Sequence, residues 1–137
     1  MSNSEEQYLE LSYYTLSHPD ASFIHQHIVD AQAAQTADEN TKPIKITFAL
    51  VGLFLYLERG FTGKQVQQAH VEMSKNKIQW PKLSLPAARG RIAVADVLAV
   101  SPGAERDEMI GKWCETVWEA FKENRNTIVD LVKQFKI

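Results

Sequence analysis

Hydrophobic residues recur at helical intervals along most of this 137-residue chain. In the first segment, Leu9, Tyr13 and Leu16 are spaced by four and three residues, which places them on one helix face. No convincing hairpin signal interrupts the pattern, so it predicts an all-α, single-domain bundle of five to six helices over residues 1–137. The predicted helices cover residues 5–16, 21–35, 43–59, 63–75, 102–122 and 125–135.

Capping and turn residues set the predicted helix ends. Pro19 is expected to end the first helix, and Asp20 to cap the second. Thr41 is expected to cap the third helix, which stops at Gly60. The stretch Thr62–Gln65 has the spacing of a capping box and opens the fourth helix.

The region between the fourth helix and the last two lacks a clear period. Residues 76–90 contain two prolines and irregular spacing, which predicts a long irregular loop before the last two helices. Residues 92–100, IAVADVLAV, fit either a short strand or a short helix, because periodicity cannot separate the two over so few residues.

The second and third predicted helices carry almost no charge. Asp30 is the only charged residue of the second, and the third has none from Ile46 to Leu57. A surface helix normally has a wide solvated face, so these two are predicted to form the centre of the bundle.

Bulk composition limits the class of protein. The net charge is -2, with 45% hydrophobic and 23% charged residues, as in ordinary globular proteins. Cys114 is the only cysteine, and the N-terminal MSNSEEQ is polar and acidic, unlike a secretory signal. The longest apolar run, Phe48 to Leu57, is too short to cross a membrane. These features predict a soluble, cytoplasmic protein.

Three of the four histidines lie in the segment SHPDASFIHQH, residues 17–27, shortly before Asp30. On an ideal helix His27 and Asp30 are neighbours three positions apart, at the edge of the apolar stripe. His25 lies about 200° round the helix from His27, so the two cannot reach one ion from a regular helix. A site here therefore needs groups from other helices.

Two interpretations of these residues stay open. His25 or His27 could combine with His70, Asp30 or Glu58 to hold a divalent metal, which would indicate a metal-dependent hydrolase or transferase. No familiar metal-binding spacing such as H-E-x-x-H or C-x-x-C occurs, and this favours a buried structural His–Asp pair.

A basic segment, residues 75–91, surrounds Trp80 and contains no acidic residue. Its cations are Lys75, Lys77, Lys82, Arg89 and Arg91. Such a segment can bind phosphates and stack on a base, but the negative charge of the chain favours a solvated loop packed through Trp80.

The last two predicted helices carry large aromatic residues at helical spacing. Trp113, Trp118 and Phe121 are most simply core or interface residues, and a homodimer through these helices is an alternative.

Four ordered segments resemble a small bacterial family, the domain of unknown function number five-nine-four-six. They are HQHIVDAQAAQ, ALVGLFLYLERGF, IAVADVLAV and KWCETVWEAF, which cover most of the chain after the first helix. The resemblance implies that three residues spaced five apart, His25, Asp30 and Gln35, belong to the pattern of the family. It implies no activity.

The chain also departs from that family. Similar proteins carry a cysteine-rich, Cys-Pro-Gly-Cys-like segment near the N-terminus and His-Pro after the glutamine. Here Thr36 and Ala37 follow Gln35, and Cys114 stands alone. If that segment binds metal in relatives, the resemblance implies that this chain does not.

Together the residues predict a binding protein. Its polar cluster of His25, His27, Asp30 and Gln35 is expected in or beside a pocket between the second, third and fourth helices, where it takes a small ligand or a protein partner. The alternatives are the metal-dependent enzyme, using Glu58 and His70, and a nucleic-acid contact through residues 75–91.

Overall fold

The computed structural model describes residues 4–18, 20 and 22–137, and these residues contain seven α-helices and no strand. The helices are α1 (Ser4–Ser17), α2 (His25–Gln35), α3 (Pro43–Arg59), α4 (Gly63–Ser74), α5 (Val94–Leu98), α6 (Ala104–Ala120) and α7 (Arg125–Gln134). A single 3-10 turn, Lys122–Asn124, joins α6 to α7. The all-α prediction is confirmed, and the predicted count of five to six helices is too low.

The additional helix is α5, in the segment whose pattern fitted either a strand or a helix. The Asp96 carboxylate accepts a hydrogen bond from the Ala93 backbone N–H at 2.9 Å and so caps the first turn. Val94 and Val97, three positions apart, are buried against the rest of the bundle, where α5 packs on α1 and α6. Before α5, residues 75–93 contain no helix or strand.

The predicted start of the second helix is wrong by four residues. Phe23 has a left-handed backbone with φ 57°, which a right-handed helix cannot include, and α2 begins only at His25. Asp20 caps the turn before the helix, where its carboxylate accepts from the Ser22 backbone N–H at 2.9 Å. Pro19 and Ala21, named in the predicted helix ends, lie outside the described residues.

Most of the capping residues predicted for α3 and α4 have the predicted role, with the exception of Thr41. Gly60 ends α3 with φ 68°, and Thr62 and Gln65 exchange the two hydrogen bonds of a capping box at the start of α4. The expectation that Thr41 caps α3 is wrong, because its hydroxyl bonds to Asp38 and the N-cap residue is Lys42. The first turn of α3 therefore has no side-chain cap.

The centre of the bundle is formed by α2, whose only charged residue is Asp30, and α3, which is uncharged from Ile46 to Leu57, as predicted. α2 packs on α1, α3, α4 and α6, and α3 packs on α2, α4, α6 and α7. Their buried side chains join those of α6, including the fully buried Trp113, in one hydrophobic core.

The surface carries few large apolar side chains. Those exposed within the described residues are Leu9, Tyr13, Leu16, Ile44 and Val71. None of them belongs to α6 or α7, the helices considered above for a homodimer. Across the described ranges, no helix combines the length and apolarity that a membrane crossing requires.

Candidate functional site

His25, Asp30 and Gln35 lie against three different neighbours of α2. A spacing of five residues turns the helix by about 140° beyond a full turn, so each side chain faces a new direction. His25 Nδ1 lies 2.9 Å from the Thr15 hydroxyl oxygen on α1. Gln35 accepts a hydrogen bond from the Trp113 indole N–H on α6 at 3.0 Å. The three residues therefore point to three different neighbours of α2 and do not converge on one pocket.

Gln35 also holds the irregular segment before α5. Its side-chain amide donates to the backbone carbonyls of Arg89, at 3.1 Å, and of Ile92, at 2.8 Å. Both the nitrogen and the oxygen of the Gln35 side-chain amide therefore form hydrogen bonds with other parts of the fold. A ligand that bound Gln35 would have to break these contacts.

Asp30 faces the third neighbour, α3, where its carboxyl group occupies the space beside Gly52. Asp30 is only 3% exposed, and a Cβ added at Gly52 would lie 1.9 Å from Asp30 Oδ2. Oδ1 accepts from the Gln26 side-chain amide at 3.2 Å, whereas Oδ2 is buried without a partner among the described residues. Burial raises the pKa of Asp30 well above its usual value, although the hydrogen bond from Gln26 opposes this. The raised pKa favours a neutral carboxyl group in the fold.

His27 is closed in by an aromatic stack one turn before Asp30. It is 3% exposed, and its ring lies 3.6 Å from the Tyr56 ring, centroid to centroid, at an interplanar angle of 12°. Nδ1 is buried with no partner in the described part of the chain, and burial lowers the pKa of His27 to about 4. The imidazole is therefore neutral at neutral pH. The predicted proximity of His27 and Asp30 does not become a hydrogen bond: Asp30 Oδ1 accepts from Gln26, and neither His27 Nδ1 nor Asp30 Oδ2 has a partner among the described residues.

Cys114 lies next to this region but has no reactive surroundings. Its thiol is fully buried and donates to the His27 backbone carbonyl, with Sγ and O separated by 3.6 Å. Burial raises the pKa of the thiol, so the nucleophilic thiolate is disfavoured. Cys114 is a core residue here.

Glu58 and His70 are engaged elsewhere. Glu58 accepts from the Trp118 indole N–H at 2.7 Å and pairs through both oxygens with Arg125, which holds the pKa of Glu58 below its usual value. His70 Nε2 donates to the Phe48 carbonyl at 2.7 Å. Within residues 4–18, 20 and 22–137, no three His, Cys, Asp or Glu side chains come together as metal ligands. The metal interpretation therefore has no ligand set in this part of the chain.

Two of the five cations of the basic segment, Lys75 and Arg89, are engaged with other parts of the fold. The Arg89 guanidinium donates to the Ala37 carbonyl at 2.7 Å, just after α2, and lies 5.5 Å from the centre of the Phe121 ring. Lys75 pairs with Glu72 at 3.1 Å. Trp80 is half-buried, with its ring between those of Phe48 and Phe135 at 5.3 and 5.9 Å. Arg89 therefore bonds to the chain at the end of α2. Trp80 packs the loop against the bundle, as expected for a solvated loop packed through Trp80.

The polar cluster of α2 lines none of three grooves found on the described surface. The largest of them, about 780 Å³, lies between the start of α3 and the loop that follows α4, and is here called the α3 groove. Its apolar lining consists of Pro43, Ile44, Ile46, Trp80, Leu83 and Leu85. Its polar lining consists of Asp38, Glu39, Thr41, Lys42, Gln79 and Lys82. The other two grooves measure about 580 and 350 Å³.

Sequence reasoning missed both Gly52 and the α3 groove. Gly52 did leave a signal, since a glycine inside a long uncharged helix costs about 1 kcal/mol relative to alanine and calls for a packing reason. The groove has no signal in the sequence, because residues 38–46 and 79–85 come together only in the folded chain.

One comparison with known proteins gives a match. A family model described as Family of unknown function (DUF5946) matches residues 5–122. The match confirms the resemblance carried by the four segments of the sequence. No curated protein and no solved structure matches the chain.

Proposed function

The chain belongs to this family of unknown function, and we propose that it is a binding protein that takes a small organic ligand in the α3 groove. The observation that carries the proposal is the size of the groove together with its lining. Ligand sites typically measure about 300–1,000 Å³ and combine apolar walls with a few polar groups. The α3 groove, at about 780 Å³, has both properties.

The aromatic wall of the groove supports the same function. Trp80 packs edge-on against Phe48 and stacks near Phe135, so two neighbours hold its ring in place. A wall that is already ordered lowers the entropy lost on binding. Ile44 on the opposite side is exposed at the start of α3, which leaves apolar surface for a ligand to cover.

A second proposal keeps the polar cluster of α2 as the ligand site. Its support is that His27 Nδ1 and Asp30 Oδ2 are both buried without partners in the described residues. An unpaired buried polar group costs about 1–3 kcal/mol, and a ligand that bonded to both atoms would recover part of that cost. This proposal requires α2 and α3 to separate, because Gly52 and Tyr56 close the cluster from the α3 side.

Phenylnaphthylamine, a neutral apolar probe whose fluorescence rises on leaving water, tests the first proposal. We expect saturable binding to the native protein at one site per chain. Ile44→Asp replaces apolar surface of the groove wall with a charged group and should weaken binding by about tenfold, since the probe loses apolar contact there.

Val71→Asp is the matched control, since Val71 is also an exposed apolar side chain on a helix but lies outside the groove. It should leave the dissociation constant unchanged. Equal binding by the wild-type protein and both variants, or no binding to any of them, would overturn the proposal.

A further inference from the structure

Helix α1 carries apolar side chains on two opposite faces. On an ideal helix Leu9, Tyr13 and Leu16 fall within about 60° of one another, and Leu11 and Thr15 lie on the opposite side. Leu11 and Thr15 are buried against the bundle, whereas Leu9, Tyr13 and Leu16 are 61%, 75% and 56% exposed. A helix that is apolar all round is typically buried all round. Leu9, Tyr13 and Leu16, here called the outer face of α1, therefore form an apolar surface that is open to a partner.

The outer face also concentrates the exposed apolar surface of the protein. It holds three of the five large apolar side chains that are exposed among the described residues, and the other two, Ile44 and Val71, lie on α3 and α4. Single exposed apolar residues are normal, whereas neighbouring ones on a helix mark interaction sites.

The charge around the outer face is acidic. On an ideal helix Glu5 flanks one edge of the outer face, and Glu6 and Glu10 flank the other, and all three are exposed. α1 packs on α2 and α5, and none of these three helices contains a lysine or arginine. Seven of the 17 acidic residues of the chain and none of its 15 basic residues precede Lys42. A partner of the outer face therefore meets an apolar stripe between acidic edges.

We propose that the outer face of α1 docks a basic amphipathic helix of a partner protein. The apolar stripe of the partner covers Leu9, Tyr13 and Leu16, and its lysines or arginines lie near the glutamates at the edges. A second copy docked through the same face would bring glutamates against glutamates, and an anionic membrane would repel them. The inference is independent of the α3 groove, whose lining contains no residue of α1.

Two synthetic peptides test the charge of the partner. Both form an amphipathic helix with the same leucine stripe, but the polar face of one carries lysines and that of the other carries glutamates. Binding of each labelled peptide to the full-length protein is followed by fluorescence anisotropy. We expect saturable binding of the lysine peptide alone, and added salt should weaken it because the charges are exposed.

Variants of exposed residues locate the binding surface while leaving the core intact. Tyr13→Ser and Leu16→Ser remove apolar contacts and should each weaken binding of the lysine peptide about tenfold. Their matched control is Val71→Ser, at an exposed apolar position on α4. Glu10→Gln should weaken binding about two- to fivefold, the range of an exposed ion pair, and Glu123→Gln is its control between α6 and α7.

The outcomes are distinguishable. Weaker binding of the lysine peptide in the α1 variants, with both controls unchanged, supports the inference. Equal binding of the two peptides, binding of neither, or equal effects of the α1 and control variants would overturn it. Analytical ultracentrifugation of the protein alone tests the other occupant, and we expect a monomer. A dimer that dissociates in Tyr13→Ser would assign the outer face to a second copy and overturn the inference.

Discussion

The start of α3, residues 43–46, borders an open groove, whereas its middle, residues 52–56, is closed against α2. The open part is mostly apolar and has charges at its rim. The closed part contains two polar side chains, His27 and Asp30, with 3% exposure each. The polar residues of α2 drew attention to the closed part, yet the largest of the three grooves lies at the open part.

The comparison separates two reasons for a polar residue to occur in a core. His25 and Gln35 are hydrogen-bonded to neighbouring elements and give the packing a defined register. Asp30 keeps one oxygen without a partner in the described part of the chain, which is costly in a buried site. Hydrogen bonds within the fold are enough to explain His25 and Gln35. They do not explain Asp30, so the proposal of a ligand site at the polar cluster of α2 is still to be tested.

The largest effect is expected from Gly52→Ala, which forces the middle of α3 away from Asp30. The added Cβ would lie 2.6 Å from Asp30 Cγ as well as 1.9 Å from Oδ2, so side chains or helices must shift. We expect a loss of roughly 3 kcal/mol in the free energy of unfolding, measured by urea denaturation.

Gly111→Ala in α6 is the matched control. Its Cβ would meet only the Tyr56 hydroxyl at 3.3 Å, the end of a longer side chain, so the change in stability should lie within about 1 kcal/mol. Equal effects of the two substitutions would contradict the close contact between Asp30 and Gly52.

The next effect is expected from Gln35→Ala, which removes the hydrogen bond between Gln35 on α2 and Trp113 on α6. The buried Trp113 indole N–H loses its acceptor, and the Arg89 and Ile92 carbonyls lose a donor. We expect a loss of about 2 kcal/mol in the same urea assay. Gln68→Ala removes an exposed contact to Glu72 and should change stability by less than about 0.5 kcal/mol.

The smallest net effect is expected from acidification, because the contributions of His27 and Asp30 oppose each other. The pKa of His27 has its ordinary value of 6.5 in the unfolded chain and is about 4 in the fold. The unfolded chain therefore takes up the proton first as the pH falls. The stability from neutral His27 is fully present above 6.5 and is lost as the pH falls towards 4. Between neutral pH and about pH 5 this costs roughly 2 kcal/mol.

His27→Gln isolates that contribution, because glutamine does not titrate. Asp30 acts in the opposite direction: its raised pKa makes the fold hold a proton that the unfolded chain releases, which favours stability at lower pH. The loss on acidification should therefore be smaller in His27→Gln than in the wild-type protein. Identical pH profiles would show that His27 is not buried in its neutral form.

Helical periodicity was sufficient to predict most of the bundle, and it failed where a single backbone angle decides the outcome. The early start predicted for α2 fails at Phe23, whose left-handed φ is rare for a bulky residue and has no pattern in the sequence. α5 stayed ambiguous because five residues are too few for a period.

The candidate site was less predictable than the fold for a different reason. His27 and Asp30 could be identified as unusual from their own helix, but their partners Gly52 and Tyr56 come from another. Whether two polar residues on one helix meet a cavity or a closed contact depends on the neighbouring helix. The spacing of residues along one helix does not contain that information, which depends on how the two helices pack together.

One measurement compares the α3 groove with the closed contact between α2 and α3 directly, because the three tryptophans lie in different parts of the fold. The Trp80 ring lines the α3 groove, the Trp113 indole N–H bonds to Gln35, and the Trp118 indole N–H bonds to Glu58. We would record the indole N–H signals by nitrogen-proton NMR during a titration with phenylnaphthylamine. A ligand site in the groove predicts that the Trp80 signal shifts while the Trp113 and Trp118 signals stay in place. A shift of Trp113 with Trp80 unchanged would contradict the account and return the ligand site to the polar residues of α2.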